Sequence, residues 1–139
     1  MKILAIEDNP TDRQVLKKAI ESANRQKKFN STAEIFFVST MHDALEMLAA
    51  QEFDVIVSDL TLPDCEGLKT VEMIRSTTKR PLIIISGRYL KDVMKTALEG
   101  GVGDYIIKGQ HWTTQIAQKI NRVLREDYLM ANIQRLVHV

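Results

Sequence analysis

Apolar positions in this chain fall into two alternating patterns. Short continuous runs give way to longer stretches with helical spacing, and the exchange repeats five times. Ile3-Leu4-Ala5-Ile6 is the first run, closed by the acids Glu7 and Asp8. Continuous apolar character over so few residues predicts a strand at Lys2–Ile6 buried on both faces. Asn9-Pro10 then reads as a helix N-cap and first-turn proline. The helix it opens carries Val15, Leu16, Ala19, Ile20 and Ala23 at helical spacing. Arg25–Thr32 is polar and predicts a loop longer than the connection needs.

The second strand is expected over Ala33–Val38. Thr40 and Asp43 stand as a capping box before a helix bearing Ala44, Leu45, Met47 and Leu48. Val55-Ile56-Val57 is β-branched throughout and runs into Ser58-Asp59, with Pro63-Asp64 marking a turn beyond it. A helix is expected from about Glu66 to Ser76, with Leu68, Val71 and Ile74 inward. Pro81 opens the most apolar strand, Leu82–Ile85, which ends at Ser86-Gly87. A helix over about Leu90–Glu99 is closed by Gly100-Gly101. Tyr105-Ile106-Ile107 is the fifth strand and ends at Lys108. The last helix is expected to start near Trp112.

Strands alternating with helices call for an α/β fold, a parallel sheet with helices on both faces. Right-handed crossovers leave few topologies, and the doubly wound order 2-1-3-4-5 is the expected one for this five-stranded sheet with five helices. All parallel strands present their carboxyl ends at one edge. Glu7, Asp8, Asp59, Ser86 and Lys108 all sit at such ends, so distant stretches of sequence deliver carboxylates, a hydroxyl and an ammonium to one place.

Two carboxylates about 4 Å apart repel by roughly 4 kcal/mol at an effective dielectric near 20, so several together need a cation. Oxygen ligands without His or Cys at ligand spacing point to Mg²⁺. Asp8, Asp59 and the Thr61 backbone carbonyl are the expected direct ligands, with Glu7 acting through a water. Lys108 supplies a mobile point charge and Ser86 a neutral hydrogen bond for phosphoryl oxygens. Asp59 as nucleophile would form an acyl phosphate. Thr61 and Arg88 flank the site and are expected to tune the lifetime of that group.

Composition narrows the classes. The net charge is +1, which gives no polyanion-binding surface, so no direct nucleic-acid contact is expected. A single cysteine, Cys65, forbids an internal disulfide or a thiolate cage and fits a cytoplasmic setting. No apolar run approaches a membrane span. His42, His111 and His138 share no ligand spacing and are expected at the surface; Trp112 is expected to pack at a helix start.

Glu7-Asp8, Asp59 with Pro63 and Gly67 beyond it, Ser86-Gly87 and Asp104-Tyr105-Ile106-Ile107-Lys108, taken together and in order, resemble the response-regulator receiver domain of two-component signalling. The resemblance covers about residues 2–124. It implies a flavodoxin-like fold, Mg²⁺ dependence, phosphotransfer to Asp59 from a histidine kinase or phosphotransfer protein, and a downstream effector or output domain. It also implies a switch in which Ser86 moves towards the phosphate and Tyr105 turns inward. The output would be read on the fourth helix, fifth strand and fifth helix. Gly109 departs from the pattern, since the family usually has proline after the lysine.

Three rival classes differ in detail. An aspartyl-nucleophile phosphatase of the haloacid-dehalogenase type needs a general acid two residues after the nucleophile, and Thr61 occupies that position. A nucleotide-binding module would need a glycine-rich phosphate loop, which is missing. A non-phosphorylated pseudo-receiver would have no use for the acids, Ser86 and Lys108. The expected role is therefore a regulatory, phosphoryl-accepting domain and not a metabolic enzyme.

Residues 1–125 read as the domain and 126–139 as a helical extension or linker. Ile116, Ile120 and Val123 form one face of the last helix. Leu129, Met130, Ile133, Leu136 and Val137 form a second face about 140° around the axis. The tail is expected to be a fragment of linker helix, frayed in isolation, or else to kink back onto the body or pair with another copy in a weak homodimer.

Overall fold

The structure, a computed structural model, describes residues 1–88 and 90–137. Lys2–Ile6 (β1), Glu34–Val38 (β2), Val55–Asp59 (β3), Leu82–Ser86 (β4) and Asp104–Ile107 (β5) form one parallel sheet. Its order is β2-β1-β3-β4-β5, the doubly wound order expected from the alternation. The helices between them are Pro10–Arg25 (α1), Met41–Ala50 (α2), Leu68–Thr77 (α3), Lys91–Glu99 (α4) and Ile116–Val137 (α5).

Side chains alternate across each strand, and the alternation divides the core in two. Ile3, Ala5, Val55, Val57, Ile83, Ile85 and Ile106 meet Leu16 and Ile20 of α1 and Ile116, Ile120 and Val123 of α5. Leu4, Ile6, Ile56, Leu82, Ile84 and Tyr105 meet Met41 and Ala44 of α2, Val71 and Ile74 of α3 and Ala97 of α4. Each fully buried Ile or Leu contributes about 1.5–3 kcal/mol, an upper range because the unfolded chain already hides some of this surface. Burial on both faces explains why the central strands read as unbroken apolar runs. Gly103 lets α5 lie close beside the sheet: a Cβ there would sit 2.8 Å from Val123 Cγ1.

The caps follow the sequence. Asn9 Oδ1 accepts from the Asp12 N–H at 3.0 Å at the start of α1. Thr40 Oγ1 accepts from the Asp43 N–H at 3.1 Å at the start of α2.

Several expectations need correction. The chain leaving Asp59 is a small antiparallel hairpin, Thr61–Leu62 against Cys65–Glu66, and α3 begins after it at Leu68. Leu62 and Cys65 are buried, so the hairpin is fixed by packing as well as by its turn. The loop after α1 is not slack. Phe29 is buried in the core, and the Lys28 carbonyl accepts from Asn121 of α5 at 2.8 Å. The last helix begins at Ile116 and not near Trp112. His111 has φ 57°, a left-handed conformation that no helix can include, and turns fill the gap. Trp112 itself packs against the α1/α5 core cluster.

The tail does not kink back. α5 continues without a break to Val137, leaving Leu129, Met130, Ile133, Leu136 and Val137 exposed. His42 and His111 are exposed, and His138 lies outside the described residues. Among the described residues there is no cis peptide bond, so Lys108–Gly109 is trans.

Candidate functional site

β1 and β3 are hydrogen-bonded neighbours, so their carboxyl ends deliver Glu7, Asp8 and Asp59 side by side. Glu7 continues the ladder, its N–H donating to the Val38 carbonyl at 2.9 Å. One carboxylate oxygen from each of Glu7, Asp8 and Asp59 lies within 4.8 Å of the others. Glu7 is buried, Asp59 half-buried and Asp8 exposed, so the cluster opens to solvent on the Asp8 side.

Asp59 is held at both oxygens. Oδ1 accepts from the Thr61 N–H at 3.1 Å, and Oδ2 accepts from Lys108 Nζ at 2.9 Å. Lys108 follows β5 and reaches across β4 to the two central strands. Its Nζ also donates to Glu7 Oε1 and, at 2.8 Å, to Asp12 Oδ2. The Trp112 ring centroid lies 5.8 Å from the same nitrogen.

Ser86 ends β4 and is 5% exposed, with its Oγ accepting from the Arg88 N–H at 3.2 Å. Its hydroxyl proton is thus left for another acceptor. Its carbonyl accepts from the Lys108 N–H at 2.7 Å, so a backbone bond ties the two residues together.

Electrostatics follow from this geometry. Burial alone would push the Lys108 ammonium down, but hydrogen bonds to Asp12, Glu7 and Asp59 outweigh it and hold the group above the usual lysine value. Burial pushes the Glu7 carboxyl up, against the hydrogen bond and charge of Lys108 and the Asn9 N–H. A carboxylate set with no soft ligand fits a hard divalent cation, which would relieve both the repulsion and the desolvation.

The sequence-derived residues Glu7, Asp8, Asp59, Ser86 and Lys108 therefore share one edge. Tyr105 lies on the edge strand β5 and is already turned inward. It is 7% exposed, packs in the cluster that contains Ala97 and Val102, and its hydroxyl has no hydrogen-bond partner among the described residues.

Two participants were missed. Asp12 contacts Lys108 directly, and Asp64 accepts from the Met41 and His42 N–H groups at 2.8 and 3.0 Å. The bonds from His42 and Met41 lower the Asp64 carboxyl below its usual value and fasten the hairpin to the start of α2. The Asn9-Pro10 cap could have revealed Asp12, because it places that residue at the third helical position, on the same edge as the strand ends.

Residues 3–121 match the response regulator receiver domain family. This chain belongs to that family. The receiver domain is 31% identical over 110 residues to the two-component response regulator ORR21 of Oryza sativa subsp. indica, spanning 78% of this chain and 15% of that protein. It is 28% identical to the chemotaxis protein CheY of Pseudomonas aeruginosa, over 88% of this chain and 95% of that protein. The receiver domain of the sensor histidine kinase PA1611 from Pseudomonas aeruginosa PAO1 superposes with a TM-score of 0.71 at 22% identity. The overlap covers 88% of this chain and 96% of that one, whose crystal structure holds a magnesium ion coordinated in the active site cleft.

Proposed function

We propose that this receiver domain accepts a phosphoryl group on Asp59, in a Mg²⁺-dependent reaction, from the phosphohistidine of a kinase or phosphotransfer protein. The observation that carries this reading is the convergence of Glu7, Asp8 and Lys108 on the Asp59 carboxylate. An Asp59 oxygen attacks phosphorus in line with the leaving imidazole. The O–P bond forms, and the P–N bond breaks with its electron pair remaining on nitrogen, which takes up a proton from water. Asp8, Asp59 and the Thr61 carbonyl would hold Mg²⁺ directly and Glu7 would hold it through a water. The ion supplies charge neutralisation for the equatorial oxygens.

Lys108 and the Ser86 hydroxyl each meet a phosphoryl oxygen. Ser86 moving towards the phosphate would alter the packing of α4 against the already buried Tyr105 of β5. The changed α4–β5–α5 surface would be read by an effector protein or output domain. Intact-mass measurement with a small phosphodonor should show a gain of one phosphoryl group with Mg²⁺ and none with a chelator. Peptide mapping should place it on Asp59; a label elsewhere would overturn the assignment.

A second element of the reading concerns residues 126–139, which we treat as an extension of the 1–125 domain. Tyr128, Leu129, Met130, Ile133, Leu136 and Val137 are 50–76% exposed on one unbroken helix. We assign to this stretch a weak pairing with a second copy. Burying each large apolar side chain contributes about 1.5–3 kcal/mol at most. Truncation after Arg125 should lower the light-scattering mass at high concentration and leave the monomer's melting temperature unchanged. A monomer mass for both lengths would show the tail to be a passive linker.

A further inference from the structure

Lys108 has three ammonium hydrogens, and carboxylates take all three. Glu7 comes from the end of β1, Asp59 from the end of β3 and Asp12 from the first turn of α1. These three acceptors are not equivalent. Glu7 and Asp59 belong to the carboxylate set that can share a cation with Asp8, whereas Asp12 stands outside it. Asp12 touches neither Asp59 nor that set in any hydrogen bond; its side-chain partner is Lys108.

We propose that Asp12 is a positioning residue that anchors Lys108 to α1 in the resting domain and so sets how readily the lysine is recruited by a phosphoryl group. The proposal rests on the reading of Asp59 as the phosphoryl acceptor. A fully committed ammonium can meet a phosphoryl oxygen only by giving up or sharing one of its three bonds. The Glu7 side chain is 2% exposed and its carboxylate has no other cationic partner among the described residues, so surrendering the lysine would leave a buried carboxylate with only the Asn9 N–H. Asp12, at 24% exposed, can exchange the lysine for water at little cost. Asp59 stays beside the lysine as the residue that carries the phosphoryl group, so of the two remaining bonds the Asp12 bond is the one that yields, and its strength counts against the switched state.

Asp12→Asn keeps the side-chain shape but removes the carboxylate charge, so the ion pair becomes a weaker ammonium–amide hydrogen bond. Less would then oppose recruitment of the lysine. Beryllofluoride with Mg²⁺ is a suitable probe, because it mimics a phosphoryl group on a carboxylate without covalent turnover. Trp112, the only tryptophan, lies 5.8 Å from Lys108 Nζ and reports on it by fluorescence.

The half-saturating beryllofluoride concentration should fall about tenfold in Asp12→Asn, and Asp12→Glu should return it to within about twofold of wild type. In a Lys108→Ala background, with beryllofluoride binding read by the amide NMR shifts of Asp8, Asp59 and Thr61 at the site itself, Asp12→Asn should have no further effect. An equal shift in both backgrounds would show that Asp12 acts through general charge and overturn the proposal. No shift in either background would overturn it as well. A wild type that does not respond to beryllofluoride at all would overturn both this proposal and the phosphoacceptor reading, whereas a responsive wild type matched by Asp12→Asn overturns this one alone.

Discussion

Asp59→Asn is expected to gain no phosphoryl mass under conditions in which the wild type gains one group per chain. The amide is a poor nucleophile, and no other carboxylate stands in its place. Glu7 is buried and bonded to both Lys108 and the Asn9 N–H, and Asp8 faces solvent. The substitution also disturbs the local bonding in a specific way. Asp59 uses one oxygen for the Thr61 N–H and the other for Lys108. Asparagine has a single acceptor oxygen, so one of these donors loses its partner. Removing one carboxylate should also weaken Mg²⁺ binding by about tenfold or more, the equivalent of ~1.4 kcal/mol. Calorimetric titration checks the metal, and intact mass checks the phosphoryl group. Equal labelling of both proteins would end the assignment of Asp59.

The second large effect is expected at Lys108. Lys108→Ala leaves Glu7, Asp12 and Asp59 without their common cation. Breaking a buried pair by removing one partner costs about 3–5 kcal/mol, and the low end applies here because Asp59 and Asp12 retain some solvent. The loss should appear in chemical unfolding with a chelator present. Mg²⁺ should restore most of it, since a ligand at 100 times its Kd stabilises by about 2.7 kcal/mol.

The sign with pH follows from the raised lysine. A group whose folded pKa lies above its unfolded value stabilises fully below the unfolded value and ceases to do so as pH rises through the folded one. The gap between variant and wild type should therefore hold across neutral pH and close only well above 10.5, lysine's ordinary value. The variant should still bind Mg²⁺ and take up a phosphoryl group, yet show none of the amide NMR shifts on α4, β5 and α5 that the wild type undergoes. Unchanged shifts would remove Lys108 from the coupling.

The sheet and most of the site were legible because both depend on local signals. A strand buried on both faces must be an apolar run, and a parallel sheet must bring strand ends together. Glu7, Asp8, Asp59, Ser86 and Lys108 all stand directly at those ends. Asp12 is a turn into a helix, where a first-turn acid already has a local explanation in the helix dipole. Its partner is 96 residues away, a separation that spacing cannot reveal. Asp64 was read as a turn residue for the same reason, although it caps a helix that precedes it in sequence. The start of α5 was misplaced because apolar spacing does not register the left-handed backbone at His111. Tyr105 depends on how closely α4 packs on β5, which is a tertiary matter.

The backbone bond from the Lys108 N–H to the Ser86 carbonyl has a mechanical consequence. Ser86 and Lys108, the two groups proposed to meet phosphoryl oxygens, stand at the ends of adjacent strands and are pinned to each other by a bond of 2.7 Å. They behave as the two jaws of a caliper with a fixed pivot. On the proposed reading, a phosphoryl group on Asp59 would be met by side-chain rotation at the jaws, since the strands beneath are locked in register. The displacement is then carried outward by the chain leaving each jaw, towards α4 on one side and towards the turns before α5 on the other. On the proposed reading, one input at Asp59 would thus drive two linked movements, one through each jaw.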